Sequence, residues 1–163
     1  MTGETYDIYA EANPAFVAYL IHRFVKKYDV AAEGFPHITL VYVAIPIGMS
    51  GKLGSTFDLT NSRTGLLAWL SRFPEVRIGL NQNIIASQRI IADGLKAAIL
   101  SRLIKVTEEG YLELGEAKGP PESLKSSLPD GPKAVTGRVE RLGTWIGKAG
   151  SPAAVYSALE VNP

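Results

Sequence analysis

The chain has 163 residues, 46% of them apolar and 20% charged, with a formal net charge of +1, which suits one soluble globular domain with a sizeable core. It contains no cysteine, so disulfides, thiolate metal sites and cysteine nucleophiles are excluded. The opening MTGETYDIYAEAN is acidic and lacks the basic-then-apolar order of a signal peptide. No apolar run approaches the roughly 20 residues that cross a bilayer, so a cytoplasmic protein without membrane contact is expected.

Asn13 and Pro14 are suited to the N-cap and first position of a helix. Phe16, Val17, Leu20, Ile21, Phe24, Val25 and Tyr28 then recur at three- and four-residue steps as one apolar stripe. Arg23, Lys26 and Lys27 fall on the opposite side, with both lysines expected in the last turn. After a loop closed by Gly34 and Pro36, the run Ile38–Ile47 is apolar apart from Thr39 and therefore buried on every side. Its β-branched residues favour a strand and its length suits a helix, so both readings stand. The segment GMSGKLGST reads as a flexible solvated loop. It is not a P-loop, because the spacing between its glycines and the Gly-Lys-Ser/Thr ending are absent.

Thr60, Asn61 and Ser62 are candidate N-caps for a helix whose apolar face is Leu66, Leu67, Trp69, Leu70 and Phe73. Pro74 ends it and opens a third helix carrying Val76, Leu80, Ile84 and Ile85, with an amide-rich remaining surface from Asn81 to Arg89. A fourth helix is expected over IIADGLKAAILSRLI. In VTEEGYLELG, the Glu-Glu-Gly turn and the alternation that follows predict a short β-hairpin, with Gly110 at positive φ. Residues 115–132 are rich in Pro, Gly and Ser and predict an exposed loop or linker. Beyond it a helix over Lys133–Lys148 buries Val135, Val139, Leu142, Trp145 and Ile146. Gly137, Gly143 and Gly147 within it imply either close approach of another backbone or a frayed end. Gly150 stops this helix, and Ser151-Pro152 start a last one with Val155, Tyr156 and Leu159 inward. Trp69 and Trp145 are expected to be buried in the same or adjoining clusters.

The expected fold is therefore mainly α (α+β). It is a compact helical domain over residues 1–114 with a short hairpin and a winged-helix-like middle segment, a loop at 115–132, and C-terminal helices at 133–163 packing back on the core. No internal repeat is present. Residues 61–105 carry a net charge of +5 between two segments of −2. Arg72, Arg77, Arg89, Lys96 and Arg102 are thus candidates to bind an acidic partner or nucleic acid. Helices followed by a hairpin give a winged-helix nucleic-acid-binding regulator as the alternative function, although the hairpin itself is acidic at Glu108, Glu109 and Glu113. His22 and His37, the two histidines, have no carboxylate at metal-ligand spacing, and no Gly-x-Ser-x-Gly elbow is present. No cofactor, metal or catalytic residue is expected, and the chain is not expected to be an enzyme.

Four blocks together carry a resemblance. They are the NPAF helix start, the apolar run ending Ile45-Pro46-Ile47, the segment LAWLSRFP, and the C-terminal VERLGTWIGKAGSPAAVYSALEVNP. In order and spacing they resemble the middle components of bacterial three-component ABC-ATPase conflict systems, related to accessory subunits of Lamassu-type anti-phage defence. Relatives tend to have a leucine-rich run where this chain has β-branched residues, which leans Ile38–Ile47 towards helix, and a Leu-Gly-Val ending where it has Leu159-Glu160-Val161. The resemblance implies a non-catalytic scaffold subunit. It would link an SMC/Rad50-like ABC ATPase to a separate effector protein, with nucleic acid reached through the complex.

Overall fold

In the computed structural model, which describes residues 13–162, helix α1 runs Pro14–Ala32. The acidic opening MTGETYDIYAEA lies outside the described residues. Asn13 caps α1 as expected, its Oδ1 accepting the Ala15 N–H at 2.8 Å. The helix continues one turn beyond Tyr28, so Lys26 and Lys27 are not in its last turn. The extra turn is held by packing, since Tyr28, Ala31 and Ala32 lie against Gly147.

The open question over residues 38–47 resolves as helix: α2 spans Ile38–Met49, capped by the His37 side chain and containing Pro46. A buried segment must pair its backbone groups. The described residues hold only a two-stranded sheet with strands of three residues, and α2 instead satisfies its N–H and C=O groups internally. The segment that follows is not a flexible loop. Gly51–Phe57 forms a 3₁₀ helix with Thr56 and Phe57 buried.

Helix α3, Leu66–Arg72, begins at Gly65 without a side-chain cap. The polar trio expected to cap it builds a turn instead. Asn61 Oδ1 accepts the Arg63 N–H at 2.8 Å, and Thr64 Oγ1 accepts the Asn61 N–H at 3.0 Å. After a 3₁₀ turn at Pro74–Arg77, the expected third and fourth helices are a single helix α4, Leu80–Leu100. Gly94 does not break it, because this is where α4 presses on α1: a Cβ there would collide with the Val17 side chain.

The predicted hairpin is present, with β1 (Ile104–Val106) antiparallel to β2 (Leu112–Leu114) and Ile104 opposite Leu114. Gly110 at φ +88 makes its turn. The hairpin is fastened to the α1–α2 corner by Ile38 N–H to Gly110 C=O at 2.8 Å and Leu112 N–H to Pro36 C=O at 2.9 Å. Residues 115–132 include a five-residue helix, α5 (Ser123–Ser127), and Leu124 and Leu128 pack on the core. Helices α6 (Asp130–Lys148) and α7 (Pro152–Leu159) follow. Glu160 caps α7 at φ 57, a left-handed conformation that glycine adopts most readily.

The mainly helical architecture with one hairpin matches the expectation. Helix α1 packs along both α6 and α4, and α2 packs against the same two helices. Trp69 and Trp145 are 0% and 1% exposed and touch one another, with ring centroids 5.5 Å apart.

The glycines of α6 divide into two kinds. At Gly143 an added Cβ would lie 2.8 Å from the Phe24 carbonyl, and at Gly147 3.0 Å from that of Tyr28. Both therefore admit the α1 backbone. At Gly137 the nearest atom is Lys125 Nζ at 4.0 Å. Gly143→Ala is expected to destabilise by about 1–2 kcal/mol, overpacking outweighing the gain in helix propensity. Gly137→Ala is expected to stabilise by about 0.5–1 kcal/mol. Urea denaturation of the two variants checks the opposite signs.

Candidate partner-docking face

The candidate cationic residues lie on α3, on α4 and in the turns that adjoin them. Arg72 ends α3 and is exposed, while Arg89 and Lys96 are exposed on α4 at seven-residue spacing. Arg102 lies just past the end of α4 at φ 63 and is also exposed. At about 1.5 Å per residue Arg89 and Lys96 stand about 10 Å apart along α4, and Arg102 lies beyond its C-terminal end. None of these four makes an ion pair among the described residues. Arg77 differs. Its Nε donates to the Ala158 carbonyl at 2.8 Å and lies 3.9 Å from Glu160 Oε1, so it fastens α7 to the body.

Arg89 also lines a groove of about 620 Å³ between α2 and α4, which was not among the sequence expectations. Thr39, Tyr42 and Val43 line it from α2, and Ile84, Ile85, Gln88 and Ala92 from α4. The hydroxyl of Thr39 at its end is hydrogen-bonded to that of Tyr156. Burial raises the pKa of Tyr42, which keeps its phenol neutral. Ile85, expected among the apolar residues of its helix, and Ile99 are 64% and 41% exposed. The apolar arc of α4 is wider than the core can cover, and the signal was there in its isoleucines. Apolar surface joined to unpaired cations is suited to holding a protein partner.

A second polar feature is structural. Arg23, expected on the solvent side of α1, is 2% exposed. Its guanidinium lies 2.7 Å from Glu122 Oε1 and 2.5 Å from Glu140 Oε2, and Lys125 Nζ is 2.5 Å from Glu140 Oε1. This cluster ties the loop before α5 to α1 and α6. The sequence could not reveal it, because Arg23 and Glu140 are 117 residues apart. Next to it His22 is buried, and its Nδ1 has no hydrogen-bond partner among the described residues. Burial and the neighbouring Lys26 and Arg23 lower its pKa, so the ring is neutral. Among the described residues no group of three or more His, Asp or Glu is placed to hold a metal. No single helix there is long and apolar enough to cross a membrane.

Fold and surface together define a small helical protein in which one face of α4 combines exposed isoleucines with cations that make no ion pair among the described residues. The family model for the ABC-three component (ABC-3C) system Middle Component 3 matches residues 5–163. The chain belongs to this family, whose name implies a three-component system with ABC ATPase partners. No curated protein and no solved structure matches the chain.

Proposed function

We propose that the chain is a non-catalytic, cytoplasmic scaffold subunit of an anti-phage defence complex, linking an SMC/Rad50-like ABC ATPase to a separate effector. ATP, magnesium and effector chemistry would belong to those partners. The observation that carries the reading is the exposed face of α4, where Ile85 and Ile99 stand in solvent beside Arg89 and Lys96. A subunit that works by being held between others needs such a surface, and the chain's lack of a P-loop or nucleophile elbow agrees with a non-catalytic role.

The test is assembly. Arg72, Arg89, Lys96 and Arg102 are reversed to Glu, and the variant is co-expressed with the ATPase and effector of its own system. Loss of one side of a close interfacial ion pair costs about 2–5 kcal/mol, so recovery of the complex in a pull-down at moderate salt should fall sharply while the free subunit stays folded. Normal assembly with loss of DNA retention alone would instead support the nucleic-acid-binding regulator. The purified subunit is expected neither to hydrolyse ATP nor to cut DNA. Turnover abolished by a point change in this chain would overturn the non-catalytic role.

A further inference from the structure

On α4, Ile85, Arg89, Ala92, Lys96 and Ile99 follow one another at steps of four, three, four and three residues, and all five are exposed. At 3.6 residues per turn they fall within about a quarter of the helix circumference and extend along it for about 21 Å. This is the spacing of a seam onto which a second helix packs, apolar side chains meeting at one set of positions and polar ones interleaved. The groove between α2 and α4 opens along the same seam, sharing Ile85, Arg89 and Ala92 and floored by Tyr42 and Val43. Its 620 Å³ would take large apolar side chains from the incoming helix.

We infer that this seam receives one amphipathic α-helix of a partner subunit, with apolar residues at three- and four-residue steps and acidic residues against Arg89 and Lys96. This rests on the scaffold reading above and names what the scaffold holds. Charge decides the occupant. A second copy of this chain packed through the same face would set Arg89 and Lys96 against each other, with no acidic residue in the five-residue seam to compensate. A small ligand would fill the groove but leave the rest of the 85–99 stripe in water. An acidic helix covers the isoleucines and neutralises both cations at once.

The absence of cysteine makes the test site-specific. Ala92→Cys, bearing a benzophenone maleimide, is assembled with the ATPase and effector of its system and irradiated, and the joined peptide is sequenced. The expected product is a single partner segment with helical apolar spacing and acidic flanks. Arg89→Glu with Lys96→Glu should reduce that product about tenfold or more, and changing the facing acids to Lys should restore it. Circular dichroism establishes that the variant is folded. Cross-linking to a second copy, to residues 1–12 of the same chain, to nucleic acid or to a segment without acidic residues overturns the inference. So does an assembled complex in which the label finds nothing, and that result leaves the scaffold reading standing. Failure of the wild-type chain to assemble at all sinks both.

Discussion

Trp69→Ala should destabilise the protein by more than the roughly 3–5 kcal/mol usual for emptying a large aromatic site. Its indole sits 4.9 Å from Phe57 and 5.5 Å from Trp145, and Phe57 in turn stacks on Trp145 at 5.8 Å with planes 5° apart. The three rings join the 3₁₀ helix, α3 and α6, so one truncation loosens three elements. The indole N–H also donates to the Thr56 carbonyl at 3.1 Å and lies 3.2 Å from its Oγ1. Thr56 is buried, and stranding its acceptors adds about 1–3 kcal/mol. Trp145→Ala should cost less. Its N–H donates to the Asn61 carbonyl at 2.9 Å, and exposed Asn61 can turn to water. Against a total stability of about 5–15 kcal/mol, either change brings the domain close to unfolding. The chain has two tryptophans, so the remaining one reports each variant's urea transition by its emission. Equal costs, or either below about 1 kcal/mol, would contradict this account of the aromatic cluster.

Removing Arg23 is the other large effect. Arg23→Ala leaves Glu140, 7% exposed, with the half-exposed Lys125 and Lys27 but without its buried partner, at an expected cost of about 3–5 kcal/mol. Arg23→Met with Glu140→Leu removes the burial penalty together with the attraction and should lie within about 1 kcal/mol of wild type or above it. The pair thus separates breaking an ion cluster from replacing it. Acid titration gives a second readout. Burial pushes the Glu140 carboxyl up, but the Lys125 and Arg23 hydrogen bonds and charges outweigh it, and its pKa is lowered from 4.5. Hydrogen bonding to Arg23 holds Glu122 at about 2. Both carboxyls bind protons less readily folded than unfolded, so their stabilisation is complete above the unfolded value and fades as pH falls through the folded one. For Glu122 that window runs from 4.5 down to about 2. Glu122 is largely exposed, so solvent screening keeps its share small, and Glu140 supplies most of the effect. Arg23→Ala should therefore show a flatter loss of stability with acid than wild type, measured as melting temperature against pH.

The features legible in the sequence are those whose chemistry is local. Asn13-Pro14 and Ser151-Pro152 begin helices wherever they stand, and Gly110 turns its hairpin because its own φ is positive. The apolar stripes of α1 and α6 follow from helical periodicity, although α1 is buried all round from Val17 to Val25. Tertiary structure decided whatever depends on a distant partner. Ile38–Met49 is a helix because, among the described residues, the one sheet is a hairpin of three-residue strands, too short to pair the segment beyond its first residue, and β-branching is too weak a preference to outweigh unpaired buried backbone. Gly94 stays inside α4 because α1 lies against it. Arg23 leaves solvent because Glu140 and Glu122, about 100 residues further on, arrive to meet it. The candidate docking face has the same origin. The composition of α4 supplied the isoleucines and cations, but only the packing of α1 and α2 on its other side fixed which of them remain in water, since a helix can bury one arc against the core and no more.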